Sequence, residues 1–595
     1  MPEDGSRRFA EGGYLGVSES LTGRFWQGPS VEADRSAAQL VQQAGLTDPL
    51  ARVLARMRVG PEEAEAYLAP TLRDSLPDPA CLHDADRAAA RLNAAVAAGT
   101  PIAVFADYDV DGAASAALLV DWLRAQGRTA TLYVPDRIDE GYGPNEPAMR
   151  ALAAGHGLIV CVDCGTLSHA AIAAAEGAEV LVLDHHLGGE TLPPASAVVN
   201  PNRADEPGTL AHLCAAAVVF LVLVEAGRQL RAAGRPAPGL MEATDLVALA
   251  TVADVAPLVG VNRAFVRTGL KVLARRARPG LRALADAAGL SEAPRAYHLG
   301  YLLGPRINAG GRIGQADLGA RLLATTDDAE ARRLAAQLDA LNAERRAVEQ
   351  AVTEEALAQA EARGTDGPLV WAAGEGWHPG VVGIVASRLK EAFHRPAVVI
   401  GLDGGTGTGT GKGSGRSVAG VDLGAAVQRL AAEGLIEKGG GHVMAAGLTL
   451  GEAALPAAME RLGALLARQG AGRLGPRALT LDGVLAAAAV RCDVVDGLEA
   501  AGPYGAAAPA PRFALPDMAV RHVREVGTGH LKLALEDPAG TRCEAIAFGA
   551  LDSPLGPALR DHGGRRFHVA ARLEANTWQG RRRVQLRVED AAPAG

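Results

Sequence analysis

Residues 102–112 read Ile-Ala-Val-Phe-Ala-Asp-Tyr-Asp-Val-Asp-Gly, so an apolar run is followed directly by three carboxylates at alternate positions, Asp107, Asp109 and Asp111. Alternate side chains of an extended backbone share one face, and like charges packed that closely repel unless a cation or a proton neutralises them. Asp and Gly are poor strand formers, which predicts that a buried strand ends here and hands its acids to a loop. A solvated acidic turn is the ordinary alternative.

The composition is that of an ordinary globular protein. The 595 residues are 48% hydrophobic and 21% charged, with a net charge of -9, and this length predicts about three or four domains. The sequence shows neither a signal-peptide pattern nor a run of about 18 apolar residues. Six cysteines in so long a chain do not form a disulfide framework. We therefore expect a cytoplasmic protein that does not contact a membrane.

Short β-branched runs alternate with Ala-rich helical stretches between Pro101 and Asn200. The predicted strands are 102–105, 131–134, 158–162, 180–183 and 197–199. This rhythm predicts an α/β domain with a mainly parallel, doubly wound sheet. In such a sheet the functional crevice lies at the carboxyl ends of the strands.

Acids and imidazoles follow three of these strands. The first strand leads into the acids at 107–111, the third into Asp163, and the fourth into Asp184, His185 and His186. A single buried Asp is usually a helix cap, and a single His is usually a core or surface residue. Convergence on one sheet edge is different, because hard divalent cations bind carboxylates and imidazole suits Mn, Fe or Zn. The sequence therefore predicts a metal site at this edge.

The motifs resemble those of the DHH phosphoesterase superfamily. The resemblance is carried by Ala-Asp-Tyr-Asp-Val-Asp-Gly at 106–112, Val-Asp-Cys-Gly at 162–165, Asp-His-His at 184–186 and the helical stretch at 246–255. Leu-Gly-Pro-Arg-Ile-Asn-Ala-Gly-Gly-Arg at 303–312 further resembles the RecJ branch, whose members are exonucleases that degrade single-stranded DNA from a 5′ end.

By this resemblance the centre binds two divalent cations, Mn²⁺ or Mg²⁺. The implied metal ligands are Asp109, Asp111, Asp163, His185 and Asp254. Asp109 and Asp111 would hold different ions, with Asp163 as the bridge. Asp107, also kept as a candidate ligand, is placed with Asp184 and His186 in the shell that supports the ligands or touches phosphate, and His186 is counted among the catalytic candidates. Two cations about 3.5 to 4 Å apart can stabilise both the attacking and the leaving oxygen of a phosphodiester.

A second group of residues is implied to contact the substrate. Glycine-rich runs at 413–417 and 439–442 resemble the DHH-associated domain. Their glycines would free backbone N–H groups for an anion, while Ser414 and Arg416 would recognise the 5′ phosphate. A flexible loop is the adequate alternative for the insert at 404–411. The substrate-binding candidates are Arg137, Arg306, Asn308, Arg312, Ser414, Arg416 and His442.

Two motifs are weaker than they look. Cys161 and Cys164 form a CxxC pattern, but at the end of a strand, whereas the redox motif begins a helix; we do not expect zinc or redox chemistry. The run at 407–413 resembles a phosphate-binding loop, yet Gly413 occupies the position where Ser or Thr binds magnesium, so ATP binding is not indicated.

From about Leu479 the pattern changes to short alternating strands with turns between them, which predicts a small barrel similar to an OB-fold. Between Arg512 and Gly595 there are 13 Lys and Arg against 10 Asp and Glu. This local excess favours a sequence-tolerant grip on a single strand, with a solvated basic edge as the alternative. The candidate single-strand-binding residues are Trp578, Arg581, Arg582 and Arg583.

The predicted organisation has five parts. They are an N-terminal segment that is partly disordered to about Gln27 and then helical (1–75), a DHH catalytic domain (76–325), a long connecting helix (326–363), a DHH-associated domain (364–460) and an OB-fold-like barrel (470–595). By the resemblance, the further C-terminal domain of some relatives is not expected.

These observations predict a metal-dependent 5′→3′ exonuclease for single-stranded DNA. We expect a monomer that serves recombination and repair alongside a single-strand-binding protein and a helicase. Three alternatives stay open: an oligoribonuclease or cyclic-dinucleotide phosphodiesterase of the same superfamily, a DHH pyrophosphatase, and a non-catalytic single-strand-binding scaffold. The barrel and the chain length argue against the first two, and the intact set of acids argues against the third.

Overall fold

The computed structural model describes residues 12–137, 139–404, 409–472, 475, 477–578 and 581–595, without the side chains of 577, 578 and 581. The chain divides into two compact units, Met1–Ser75 with Gly475–Gly595, and Leu76–Leu474. Residues 1–11 of the predicted disordered segment, and residues 405–408 of the glycine- and threonine-rich insert, lie outside the described residues.

The first unit opens with a short strand that the sequence did not predict. Its N-terminal elements are β1 (Arg24–Gln27), α1 (Val31–Ala44), α2 (Asp48–Arg56), α3 (Ala64–Leu68) and α4 (Leu72–Ser75). The sequence predicts partial disorder as far as about Gln27. The last four residues of that segment instead form β1, which pairs in parallel with Arg477–Thr480. Trp26 is fully buried, and its indole N–H donates to Asp590 over 2.9 Å.

The second unit begins with the predicted parallel sheet. Its elements are α5 (Ala85–Ala98), β2 (Ile102–Ala106), α6 (Val110–Arg124), β3 (Ala130–Tyr133), α7 (Glu146–Ala153), β4 (Leu158–Val162), α8 (His169–Ala173), β5 (Glu179–Leu183) and β6 (Ala197–Val199). All neighbours are parallel in the order β3-β2-β4-β5-β6. The order reverses between β2 and β4, and ligand sites of open α/β sheets lie at such a switch point.

Helices follow the sheet as far as the predicted connecting helix. They are α9 (Ala215–Ala232), α10 (Thr244–Ala253), α11 (Gly260–Ala274), α12 (Pro279–Ala287), a π-helical turn (His298–Leu303), α13 (Gly304–Ile313), α14 (Leu318–Ala324) and α15 (Asp328–Arg363). The Asp327 carboxylate caps α15 by accepting the Glu330 N–H over 2.6 Å, and Gly364 ends it with a φ of 92°. Among the helices that the structure describes, none is long and apolar enough to cross a membrane.

A mixed sheet completes the second unit. Its elements are β7 (Val370–Glu375), α16 (Pro379–Phe393), β8 (Ala397–Asp403), β9 (Thr410–Arg416), α17 (Leu423–Ala432), β10 (Lys438–His442), β11 (Ala445–Gly451) and α18 (Leu455–Arg468). The strand order is β10-β11-β9-β8-β7.

The glycine run at 413–416 lies in the strand β9, which corrects the prediction that its N–H groups are free to approach an anion; that prediction is not contradicted for the run at 439–442, which lies in the edge strand β10. β9 pairs with β8 on one side and β11 on the other along its whole length. The glycines are required by packing instead: a Cβ at Gly413 would lie 2.8 Å from Ile400, and one at Gly415 would lie 2.7 Å from Leu423.

The rest of the first unit is the predicted barrel. Its elements are β12 (Arg477–Thr480), β13 (Gly483–Val484), α19 (Cys492–Ala500), β14 (Phe513–Val526), β15 (His530–Glu536), β16 (Arg542–Ala547), α20 (Leu555–Arg560), β17 (Arg566–Trp578) and β18 (Arg581–Pro593). The order β14-β15-β16-β18-β17 closes through the pairing of β17 with β14. Five strands with one parallel step, between β16 and β18, form an OB-type barrel.

Candidate metal centre

Three strands of the parallel sheet each end one residue before an acid. Asp107 follows β2, Asp163 follows β4 and Asp184 follows β5, and all three side chains are buried. The reversal of strand order at β2 and β4 places the first two on either side of the switch point. The structure thus brings together the acids that the sequence pattern assigned to one edge.

Two further acids are oriented by helix N-termini. The Asp109 carboxylate caps α6 and accepts the N–H groups of Asp111 and Gly112 over 2.8 and 3.1 Å. The Asp111 carboxylate accepts the N–H groups of Ala215 and Ala216, in the first turn of α9, over 2.6 and 2.8 Å. Such N–H groups carry partial positive charge, so they hold a carboxylate and fix its direction.

His185 connects the remaining acid to the others. Its Nδ1 donates to the Leu213 carbonyl over 3.1 Å, which leaves Nε2 with a lone pair. Nε2 lies 3.4 Å from Asp163, 3.7 Å from Asp111 and 3.8 Å from Asp254, which follows the last residue of α10. His185 thus offers Nε2 as a candidate metal ligand, with its tautomer fixed by the fold.

Asp184 is saturated with hydrogen bonds and holds His186. It accepts from the backbone and hydroxyl of Thr166, from the backbone of His185 and His186, and from His186 Nδ1 over 2.8 Å. Burial alone would raise the pKa of Asp184, but the bonds from His186 and Thr166 hold that pKa below its usual range. Burial opposes the charged imidazole, yet Asp184 raises the pKa of His186 to about 9. His186 is therefore held as an imidazolium.

The donor set fits divalent cations. Three groups each bring ligand atoms within 4.8 Å of one another. The buried Asp107 Oδ1 and Asp163 Oδ1 accept no hydrogen bond from any residue that the structure describes. Burial and neighbouring acids raise the pKa of Asp107 and Asp163 well above the usual range, and raise that of Asp254 to about 8. Carboxylates with imidazole suit Mn²⁺, and Mg²⁺ accepts the carboxylates. The groups are Asp163/His185/His186, Asp111/His185/Asp254 and Asp107/Asp109/Asp163; the first of them has no lone pair on His186 while that imidazole is protonated.

Arginines of the second unit gather beside the acids. Burial and the charge of Arg137 lower the pKa of Arg312 to about 10 and also lower that of Arg416. Arg312 donates to the Gly380 carbonyl over 3.0 Å, and Arg416 donates to the Ser414 hydroxyl over 2.9 Å. Like charges buried this closely favour an anion between them. This arginine cluster consists of Arg137, Arg312 and Arg416.

Other predicted substrate contacts have structural partners. Arg306 pairs with Asp339 of α15 over 2.8 Å and donates to the Leu302 carbonyl over 2.7 Å. Its guanidinium is therefore already paired with an acid of the long helix α15. The Asn308 amide oxygen accepts the Val110 N–H over 3.1 Å, so it supports the start of α6. His442 lies exposed at the end of β10.

The barrel arginines are less free than the sequence suggested. Arg582 pairs with Asp496, and Arg583 lies 3.6 Å from Glu544. The predicted side chains of Trp578 and Arg581 lie outside the described residues. Phe548 is 49% exposed, with the Arg587 guanidinium 5.2 Å from its ring centre, and so offers a stacking surface on the barrel.

Sequence reasoning missed Tyr142 and Thr166. The Tyr142 hydroxyl lies 3.0 Å from His186 Nδ1 and donates to the Asp163 carbonyl over 3.2 Å. The available signal was a tyrosine between two glycines in the loop after β3. Thr166 follows the Val-Asp-Cys-Gly motif, and its hydroxyl was the only feature that could have indicated a polar role. Cys161 and Cys164 are buried free thiols whose pKa values burial raises.

Comparison with known protein families divides the chain into three matches. The model described as DHH family, N-terminal domain, matches residues 101–251. The DHHA1 domain matches residues 366–468, and the RecJ OB domain matches residues 481–590.

Relatives match most of the chain. The single-stranded-DNA-specific exonuclease RecJ of Dickeya dadantii is 40% identical over 523 residues, which cover 84% of this chain and 89% of the relative. The protein of the same name from Escherichia coli is 39% identical, covering 83% and 88%. The crystal structure of RecJ in complex with Mn²⁺ from Thermus thermophilus superposes with a TM-score of 0.78 at 31% identity, covering 95% of this chain and 79% of that one.

Proposed function

Since the chain belongs to the RecJ family of single-stranded-DNA-specific exonucleases, we propose that it removes nucleotides from the 5′ end of a DNA single strand and releases 5′ mononucleotides. The protein is a metal-dependent exonuclease, and its cofactors are divalent cations, Mn²⁺ or Mg²⁺. The observation that carries the proposal is the group of buried acids whose Asp107 and Asp163 oxygens have no hydrogen-bond donor among the described residues.

The ligands are Asp109, Asp111, Asp163, His185 and Asp254, with Asp107 beside them. Divalent cations at such sites supply an activated water near neutral pH and offset the negative charge that builds on the reacting phosphate. The chain's own part is to fix the ligands, through the N-termini of α6 and α9 and through the Leu213 carbonyl.

His186 and Tyr142 act on the substrate side. Because Asp184 raises the pKa of His186 to about 9, the imidazole carries a proton at neutral pH and donates to a phosphate oxygen. Tyr142 lies against His186, with ring centres 5.4 Å apart, and limits its movement. Burial raises the pKa of Tyr142, so its hydroxyl remains a donor.

The arginine cluster makes the enzyme degrade the strand from its 5′ end. Arg312 and Arg416 are half-buried cations whose pKa values are already lowered by desolvation and by Arg137. A terminal 5′ phosphate carries more negative charge than an internal phosphodiester and relieves this repulsion best. Ser414, held by Arg416, adds a hydroxyl. A 5′ end is therefore drawn to the cluster while the adjacent phosphodiester meets the acids.

The remaining assignments follow the same proposal. Cleavage belongs to a DHH domain at 76–325 and a DHH-associated domain at 364–460, joined by the helix at 326–363, and the barrel at 470–595 holds the strand. We infer a monomer that works in the cytoplasm in recombination and repair, on DNA exposed by a helicase and covered by a single-strand-binding protein.

End-labelled DNA tests the proposal. Single strands labelled at the 5′ or the 3′ end, and a duplex, are incubated with Mn²⁺, Mg²⁺ or EDTA. We expect labelled mononucleotide at once from the 5′-labelled strand, late from the 3′-labelled strand, and none in EDTA. Asp163→Ala should abolish release, whereas Asp366→Ala, at an exposed acid outside the centre, should not. Activity in EDTA, or attack from the 3′ end alone, would refute the proposal.

A further inference from the structure

The residue after Asp254 has a strained backbone. Val255 has a φ of 60°, and among the non-glycine residues with positive φ in the described part of the chain it is the only β-branched one. A branched Cβ collides with the backbone in this left-handed region, so such residues are rare there and mark functional sites. The strain lies directly beside a metal ligand.

The helix end does not require a valine. The Ala256 N–H donates to the Thr251 carbonyl over 3.0 Å, and the Val255 N–H donates to the Val252 carbonyl over 3.3 Å. These are the paired bonds of a Schellman motif, whose left-handed position is usually glycine. Glycine fills the left-handed position after α1, at Gly45, and after α5, at Gly99.

The Val255 side chain also adds little to the core, because it is 69% exposed. A glycine would make the same turn without strain, and an exposed valine gains almost no burial in return. What the valine supplies is therefore an apolar surface that faces outward next to Asp254. Such a surface serves a ligand rather than the fold.

Two exposed tyrosines lie at the π-helical turn, which neighbours this helix end. The π-helical turn packs against the end of α10, because a Cβ at Gly300 would lie 3.7 Å from the Val252 carbonyl that binds Val255. Tyr297 and Tyr301 flank that glycine, are 61% and 75% exposed, and stack on each other with ring centres 5.1 Å apart at 21°. π-helical turns occur frequently at functional sites.

We propose that Val255, Tyr297 and Tyr301 form an apolar platform on which a nucleobase of the DNA strand rests while its phosphate lies beside Asp254. The inference rests on the proposed function, which brings a single strand to the acids. The platform is continuous with the centre through Asp254, and α13, which follows the π-helical turn, carries Arg312. An aromatic face accepts every base, which suits an enzyme that degrades any sequence.

Binding without cleavage tests the platform. A short 5′-phosphorylated oligonucleotide with linkages that resist hydrolysis is titrated in Mn²⁺, as a normal strand and as one whose terminal residues lack bases. Tyr301→Ala should weaken binding of the normal strand about 5- to 100-fold and leave the abasic strand nearly unchanged, because base stacking on an aromatic ring is lost. Tyr301→Phe should bind like the parent protein. Val255→Gly should weaken the normal strand selectively without lowering the melting temperature Tm.

The control is Met241→Ala, which removes an exposed apolar side chain at the opposite end of the same helical segment and should bind both strands normally. Equal losses on normal and abasic strands would overturn the platform, as would normal binding by Tyr301→Ala. Mononucleotide release in Mn²⁺ is measured separately. Base-dependent binding without release would refute the proposed function and leave the platform standing.

Discussion

Replacing one of the proposed metal ligands, Asp254, should stabilise the metal-free protein. Burial, followed by the charges of Asp111 and Asp109, raises the pKa of Asp254 from 3.8 to about 8. The folded protein thus holds this proton more tightly than the unfolded chain does. Ionised Asp254 therefore makes an unfavourable contribution to the stability of the folded protein. This contribution is absent below pH 3.8, grows as the pH rises towards 8, and is complete above that value. Asp254→Asn keeps the shape of the side chain and removes the charge.

The size of the stabilisation follows from the rise in the pKa of Asp254. One pKa unit corresponds to about 1.4 kcal/mol, so a rise of about 4 units sets an upper bound of about 6 kcal/mol. The Asp254 side chain is 28% exposed. Solvent screening and relaxation of the neighbouring acids therefore make the actual effect smaller than this upper bound. We expect a gain of about 1–3 kcal/mol at pH 8, which raises Tm by about 2–6 °C. At pH 6 the gain should be smaller.

Thermal unfolding in EDTA and in Mn²⁺ checks this prediction. A cation at a hundred times its Kd stabilises the parent protein by about 2.7 kcal/mol, and the variant should lose most of that gain. The advantage of the variant over the parent protein should therefore shrink or reverse between EDTA and Mn²⁺. Asp245→Asn is the matched control, because Asp245 is a buried acid of the same helix, paired with Arg278 and outside the candidate ligand groups. It should shift Tm by the same amount in EDTA and in Mn²⁺. A lower Tm for Asp254→Asn in EDTA would refute the reasoning.

Three further predictions concern the surroundings of the centre. Asn308→Ala leaves the Val110 N–H without its acceptor and should raise the half-saturating Mn²⁺ concentration about 10-fold or more in an activity titration. Arg416→Ala should remove the preference for a 5′ phosphate over a 5′ hydroxyl, seen as a rise in KM of about 10-fold or more for the phosphorylated strand alone. Phe548→Ala should weaken single-strand binding about 5-fold or more. Arg582→Ala, already paired with acids, should change that binding less than about 2-fold. An Arg582→Ala effect larger than that of Phe548→Ala would contradict the assignment of the stacking surface.

The parts of the fold that are local in sequence were predictable. Apolar runs between helical stretches predicted all five strands of the parallel sheet, and the connecting helix predicted at 326–363 is α15. Tertiary packing decided the rest. β1 has four residues, and its partner, β12, lies about 450 positions away. Glycine is depleted in strands, so β9 looked like a loop until the contacts of Ile400 and Leu423 showed why glycine is needed there.

The same distinction applies to the centre. Sheet topology fixes where strands end, so the meeting of Asp107, Asp163 and Asp184 followed from the sequence. The partner of an arginine is set by tertiary packing, and Arg306 is paired with Asp339 for that reason. Backbone strain at Val255 was also hidden, because Pro257 indicates only that the helix ends nearby, and the left-handed position after a helix is usually glycine.

The acids of the centre differ in the hydrogen bonds with which the fold offsets their negative charge. Asp109 and Asp111 receive backbone N–H groups, and Asp184 receives Thr166 and His186. Asp107 and Asp163 each keep an oxygen without a donor among the described residues. The fold could have met this charge with arginine, but Arg312 donates to the Gly380 carbonyl instead. In the proposed function, the uncompensated oxygens bind cations and the half-buried arginines bind phosphate. This separation lets the metal-free protein bind either charge without first breaking an internal ion pair.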